Sequence, residues 1–276
     1  MTTILPDAAL DALLAQDVPY GDLTTDLLGI GDRPARMRFA ARGAMVLSGT
    51  EEAARLIVKA GGQIDSVAPS GTGLEAGAVF LESHGPAGAL HRAWKMAQTL
   101  TEYASGIATR ARRIVDAAPG VTVACTRKNF PGAKDLSVKA VQAGGAVMHR
   151  LGLSETLLVF PEHRAFLAAP PESWLAELRR KAPEKKIVVE VGSIDEAVAV
   201  ARAGADVIQL EKLSPDAARA VIKATRDLTP PPVVAPAGGV TEANAAAYAA
   251  AGCRLLITSA PFFGPPADVQ VTLEPA

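Results

Sequence analysis

Between residues 121 and 258 two kinds of segment alternate, and that alternation limits the fold more than any other feature of the chain. Short, almost wholly apolar runs occur at VTVAC (121–125), TLLVF (156–160), IVVEV (187–191), DVIQL (206–210), PVVAPA (232–237) and RLLIT (254–258). Between them lie segments with apolar residues at helical spacing: GAKDLSVKAVQAG, SWLAELRRKA, SIDEAVAVARAG, SPDAARAVIKATRD and TEANAAAYAAAG. Strands that are apolar on both faces belong to parallel sheets covered by helices. Several of the helical segments open on good entry residues, such as Ser193 and Ser214-Pro215. Six strands and five helices fall short of a complete α/β barrel. The pattern therefore permits an incomplete barrel or an open doubly wound sheet.

The first part of the chain lacks this regularity. DAALDALLA reads as a helix with Asp7 as a cap, and GDLTTDLL as a loop. MRFAARGAMVLSG reads as strand, and TEEAARLIVKAG as a helix capped by Thr50. Strands joined by glycine-rich turns follow, then a long helix from about Ala87 to Asp116 with Gly106 inside it. The expected organisation is an α/β domain over residues 1–106 and an α/β-barrel domain with a C-terminal extension over 107–276.

Charge excludes some functions. With 28 basic and 29 acidic residues there is no global field to gather nucleic acid. Any anion site must be local. Charges or Pro/Gly interrupt every apolar run, so no membrane span is expected. The first residues, MTTILPDAALDALLAQDVPYGD, have too short an apolar run for a secretory leader, which points to the cytoplasm. Cys125 and Cys253 are far apart, lack metal-ligand spacing and read as reduced, buried thiols.

In either parallel architecture the chemistry lies at the carboxyl ends of the strands. Arg127 and Lys128 follow VTVAC, ahead of a rigid Pro131-Gly132. A planar guanidinium fork suits carboxylate or phosphate, and an ammonium supplies a point charge. A second cationic pair, His149-Arg150, precedes TLLVF. Glu190 interrupts IVVEV, where a carboxylate is costly unless it is paired or ligating. Glu211 ends DVIQL, Gly238-Gly239 end PVVAPA, and Ser259-Ala260 end RLLIT. Two glycines ahead of a helix offer backbone N–H groups to a phosphate.

Taken in order, GDLTTDLL, SGIATRARRIVD, TRKNFPG, GGAVMHRLGLSE, EVGSIDEAVAVARAGADVIQLE and APAGGVTEANAAAYAAAG resemble the nicotinate-nucleotide pyrophosphorylases, or quinolinate phosphoribosyltransferases. WKMAQTLTEYASGIA and HRLGLSETLLVF resemble in particular the ModD branch of that family, named for molybdenum-transport operons. The resemblance implies an N-terminal α/β domain leading into an incomplete six-stranded α/β barrel, in homodimers or assemblies of dimers. It implies a pentosyltransferase that joins the phosphoribosyl group of phosphoribosyl pyrophosphate to a heteroaromatic acid and releases pyrophosphate. By matching motif, Arg127, His149 and Arg150 grip the acid, and Lys128 meets the pyrophosphate. Glu190 and Glu211 lie by the ribose and Mg²⁺, while Gly238, Gly239, Ser259 and Ala260 hold the 5-phosphate. Lys95, in the long helix, reaches the site from the partner subunit. The alternative in another class is a non-catalytic protein that keeps the fold, binds a nucleotide or oxyanion and serves molybdenum transport.

Departures from the family pattern bear on the substrate. Phe160 stands where the resemblance implies a lysine, Lys95 where it implies an arginine, and Glu211 where it implies an aspartate. Pro236-Ala237 replaces a Ser-Ser pair, and Ser259 a glycine. With one cation fewer in the acid pocket, quinolinate is expected to be a poorer acceptor than a monoacid or a differently substituted ring.

Overall fold

A computed structural model describes residues 5–276; the first four residues, part of the segment read above as no leader, lie outside the described residues. In chain order the elements are α1 (Asp7–Asp17), α2 (Leu23–Leu28), β1 (Pro34–Ala41), β2 (Met45–Val46), α3 (Thr50–Lys59), β3 (Gln63–Val67), β4 (Gly73–Leu74), β5 (Val79–Pro86) and α4 (Ala87–Ala117). There follow β6 (Thr122–Cys125), α5 (Lys134–Ala143), β7 (Val147–Met148), β8 (Leu157–Val159), α6 (Pro161–Arg164), α7 (Pro171–Lys181), β9 (Ile187–Val191) and α8 (Ile194–Arg202). The chain ends with β10 (Val207–Glu211), α9 (Pro215–Thr225), β11 (Val233–Ala237), α10 (Ala245–Ala250), β12 (Leu255–Thr258) and β13 (Val269–Pro275).

These elements form two compact units that are discontinuous in sequence. The first comprises residues up to 112 together with 130–145 and 261–276; the second comprises 113–129 and 146–260. In the first, four antiparallel strands pair in the order β13-β1-β5-β3. β1 alternates in the manner of a half-buried strand, with Met37 and Phe39 inward and Arg36 and Arg38 outward. Phe39 meets Phe80 edge-on at 6.1 Å, and α3 and α4 contribute Leu56, Ile57, Leu90 and Ala97 to the same core. The C-terminal extension is thus an edge strand of this sheet. α4 runs unbroken through Gly106. A Cβ there would come within 2.5 Å of the Pro265 carbonyl oxygen, so only glycine lets the returning chain lie that close.

Three local readings change. GDLTTDLL is a loop only in part: Leu23–Leu28 is helical, capped by the Asp22 side chain, which accepts from the N–H groups of Thr24 and Thr25. Asp7 does not cap α1 but sits in its first turn, bonded to Arg55. Thr50 opens α3 from inside, because Gly49 in the left-handed region is the cap.

One interaction in the first unit carries much of its electrostatic cost. Lys139 of α5 is buried, and its Nζ lies 2.5 Å from Glu52 and 2.8 Å from Glu51 on α3. Glu52 is wholly buried, and Glu51 also accepts from Ser70 N–H and Oγ. Burial opposes ionisation of Glu51, but the bonds from Lys139 and Ser70 outweigh it and hold the carboxyl down at about 2.

The second unit holds seven parallel strands in two sheets, β11-β10-β9-β8 and β12-β6-β7. Ala235 and Ala237 of β11 share an apolar cluster with Ile257 of β12, while β7 and β8 do not pair. This is the incomplete barrel expected, with one short strand more than the six counted. β7 is two residues long, too short to show in an apolar pattern.

Removing the ammonium of Lys139 leaves a buried carboxylate without its partner. Lys139→Ala should therefore lower unfolding free energy by about 3–5 kcal/mol, measured by urea denaturation at pH 7. A loss below about 1 kcal/mol, the scale of an exposed pair, would show that the cluster contributes nothing special.

Candidate active site

Parallel register assembles the site. Glu190 of β9 pairs in register with Gln209 of β10, and Glu211 at the end of β10 pairs with Ala237 of β11. Residues in register on neighbouring parallel strands point to the same face. The Gln209 amide therefore reaches the Glu190 carboxylate, with Nε2 donating to Oε2 at 2.5 Å. Gln209 is buried, and its Oε1 accepts no hydrogen bond from a described residue. Burial pushes the Glu190 carboxyl above the ordinary range; the Gln209 bond works against this, while Glu211 and Glu162 add to it and Lys128 subtracts.

Glu211 lies over the next turn. A Cβ on Gly238 would fall 2.6 Å from Glu211 Oε1, and Gly238 has a φ of +73°. The backbone conformation therefore favours glycine there, and a Cβ would displace the Glu211 carboxylate. Lys212, in the left-handed region with φ 55°, turns the chain away after Glu211 while its N–H still donates to Ala237 O at 2.9 Å.

The cations of the site follow β6 and β7. Cys125 O accepts from His149 N–H at 2.8 Å, which ties the loop after β7 to the end of β6. Arg127 and Lys128 are exposed, and His149 is half-buried. Arg150 is only 6% exposed, yet it makes no hydrogen bond or ion pair with a described residue; its one close partner is the Phe160 ring, 5.7 Å from Cζ to centroid. Burial and the neighbouring Arg127 lower the Arg150 pKa. Burial, with Arg150 beside it, also lowers that of His149, so His149 is neutral at pH 7. A buried guanidinium without a counter-ion is costly, and a bound anion relieves that cost.

Together these residues enclose a cleft of about 490 Å³ within the second unit, a size usual for small-molecule sites. Its lining brings together Arg127, Lys128, His149, Arg150, Phe160, Glu190, Glu211, Gly238 and Ser259. Gly239 and Ala260 are not in the lining. Ala260 N–H donates to Thr258 Oγ1 at 3.0 Å, which in turn donates to Val240 O. The glycine turn does not run straight into a helix, because α10 begins only at Ala245 and Asn244 Oδ1 takes the Thr241 N–H. Lys95 lies in the first unit, exposed on α4, with its Nζ over the Trp94 ring at 4.4 Å. Cys125 and Cys253 are buried, with thiols pushed up to about 12 and about 11, which leaves no thiolate for chemistry.

Gln209 and Glu162 also line the cleft and were not picked out in the sequence. Gln209 carried a usable signal, being a polar residue inside an apolar strand like Glu190. Glu162 carried none, since it sits in a four-residue helix after Phe160-Pro161.

The comparisons fit this geometry. Residues 107–272 match the description "Quinolinate phosphoribosyl transferase, C-terminal domain", and residues 22–105 match "Quinolinate phosphoribosyl transferase, N-terminal domain". The chain belongs to the quinolinate phosphoribosyl transferase family. Within that family it is 46% identical over 258 residues to a Rhodobacter capsulatus protein named "Putative pyrophosphorylase ModD", covering 91% of this chain and 98% of that protein. An Escherichia coli O6:H1 protein of the same name is 38% identical over 279 residues, with 99% and 98% covered. NadC from Streptococcus pyogenes superposes with a TM-score of 0.91 over the whole of both chains at 23% identity. At that identity the likeness concerns the fold. No helix among the described residues is long and apolar enough to cross a membrane.

If the cationic wall binds acid, Arg127→Ala should weaken nicotinate binding by about 1.5–3 kcal/mol, the scale of one charge-assisted bond. Arg127 is exposed, so the thermal melt should not move. Calorimetry with a parallel melt checks both, and unchanged affinity or a collapsed melt counts against the role.

Proposed function

We propose that the protein is a phosphoribosyltransferase that joins phosphoribosyl pyrophosphate to a heteroaromatic monoacid. The observation that carries this reading is that one cleft holds carboxylates together with cations that form no ion pair among the described residues. Arg127, Lys128 and the uncompensated Arg150 lie among its lining, and so does the Glu190–Gln209–Glu211 group. An anionic acceptor and a polyphosphate need the first set. A sugar that becomes cationic needs the second.

In the reaction a ring nitrogen of the acceptor donates its lone pair to C1 of the ribose. The bond from C1 to pyrophosphate breaks, and its electron pair leaves with the pyrophosphate. Arg127, His149 and Arg150 hold the acceptor carboxylate, with neutral His149 as a hydrogen-bond partner. Lys128 offsets charge on the leaving group. Glu190 and Glu211 stabilise positive charge on the sugar, and no covalent nucleophile is needed. Gly238, Gly239 and the Ser259-Ala260 turn hold the 5-phosphate in this reading.

A divalent cation fits the residues present. Among the described residues no cluster of three His, Cys, Asp or Glu could cage a metal, but Mg²⁺ is commonly held by one or two carboxylates and substrate phosphates. Glu190, Glu211 and the orphaned Gln209 Oε1 form an all-oxygen set of that kind. When bound, Mg²⁺ would neutralise pyrophosphate charge. We further propose that the protein works as a homodimer, with Lys95 of the partner subunit completing the acid pocket.

With phosphoribosyl pyrophosphate and Mg²⁺, the protein should release pyrophosphate with a pyridine monocarboxylate, and less efficiently with quinolinate. A coupled pyrophosphate assay compares the two, and quinolinate as the best acceptor would overturn the monoacid assignment. The pH profile supplies a second check. Because the Glu190 carboxyl lies above the ordinary range, a falling pH protonates it early and removes charge that the sugar needs. The acid limb of kcat/KM, which reports the free protein, should therefore sit above about 4.3, the ordinary glutamate value. A limb at or below that value would exclude Glu190 as the group responsible.

A further inference from the structure

We infer that Phe160 is a positioning residue for Arg150: its ring, stacked against His163, holds an otherwise unpartnered guanidinium in the cleft. The inference rests on the reading of this cleft as the acid-acceptor site and goes beyond it. In that reading Phe160 matters only as a missing cation. The geometry gives it a task of its own.

Phe160 is engaged by two neighbours. The Arg150 guanidinium lies over its ring at 5.7 Å, and the His163 imidazole stacks against it at 5.7 Å with 22° between the planes. The stack is fixed from behind, because Phe160 N–H donates to His163 Nδ1 at 3.0 Å. That bond places the neutral His163 proton on Nε2. Pro161 at the first turn of α6 sets the chain direction between the two rings.

Arg150 has no other fixed partner. It is 6% exposed and makes no hydrogen bond or ion pair with a described residue. Burial confines the side chain, but no hydrogen bond to a described residue fixes the plane of its guanidinium before an anion arrives. A quadrupole under the guanidinium restricts that plane without using its N–H donors. The five donors stay available for a carboxylate. An acidic partner would hold Arg150 equally well but would also neutralise it. Phe160 pre-organises the cation while leaving its charge uncompensated, which lowers the ordering cost of binding.

Two readouts on Phe160→Leu and Phe160→Tyr test this. Leucine supplies apolar bulk without a ring; tyrosine keeps the ring. The first readout needs no ligand: the ¹⁵Nε order parameter of Arg150 in the free protein. It should be high in the natural form and in Phe160→Tyr, and should fall in Phe160→Leu. The second is calorimetric binding of nicotinate, which should weaken roughly fivefold to tenfold in Phe160→Leu and stay within about twofold in Phe160→Tyr. Thermal melts of both variants should match the natural form. An Arg150 Nε equally rigid in Phe160→Leu, or nicotinate affinity restored by leucine as well as by tyrosine, overturns the inference. If the natural form binds no nicotinate, the acceptor reading falls, and the order parameters still decide the role of Phe160.

Discussion

Parallel pairing in register is the constraint on which the site depends. Strands that run the same way end at the same side of the sheet, so Cys125, Met148, Glu211, Ala237 and Thr258 occupy the last rungs of their ladders. A one-residue slip of β10 against β9 would turn Gln209 to the other face and leave the Glu190 carboxylate without its amide. A slip of β11 would put a side chain where Glu211 now lies over Gly238. The buried aliphatic residues of these strands, such as Val189, Ile208, Leu210 and Ala235, hold the register because each must stay covered on its face. Stability of the barrel strands and placement of the chemistry are therefore one property.

The second property is a deliberate lack of neutralisation. Opposite charges in one cleft would ordinarily pair, yet Arg127 and Arg150 form no ion pair with a described residue, and among the described residues no arginine pairs with the Glu190 or Glu211 carboxylate; Arg164 reaches only the Glu190 backbone carbonyl, at 3.1 Å. The ammonium of Lys212 lies 3.8 Å from Glu211 and is largely exposed. The contrast with the first unit is instructive. There Lys139 pairs with both Glu51 and Glu52, and Ser70 and the Leu5 N–H donate to the remaining carboxylate oxygens, as groups with a structural task should be satisfied. In the cleft, burial raises the Glu190 carboxyl and lowers the Arg150 guanidinium, and a ligand with separated charges would relieve both.

Much of this was legible in the sequence. IVVEV marks β9 residue for residue, because Lys185-Lys186 before it and Gly192 after it bound the apolar run sharply. Glu190 and the two cationic pairs stood out as charges set against apolar runs. Less visible were features that depend on distant chain. β13 pairs with β1 more than two hundred residues away, and its QVTLE pattern alone does not distinguish an edge strand from a tail. The excursion of residues 130–145 into the first unit is likewise invisible, since α5 reads as one more barrel helix. Phe160 reads as the end of an apolar strand, whereas it lies just outside β8, and its partners come from the loop after β7 and from α6. Periodicity reports burial, not which side chain a ring will meet.

The central claim is that the uncompensated charges of both signs in this cleft receive phosphoribosyl pyrophosphate with Mg²⁺. A crystal structure of the protein with both tests it most directly. The account predicts pyrophosphate on the Lys128 side, the ribose between Glu190 and Glu211, and the 5-phosphate at the Gly238-Gly239 turn. Arg127 and Arg150 would be left facing the acceptor position. A ligand bound elsewhere, or one whose phosphates lie against Glu190 and Glu211 without a metal ion, would contradict it.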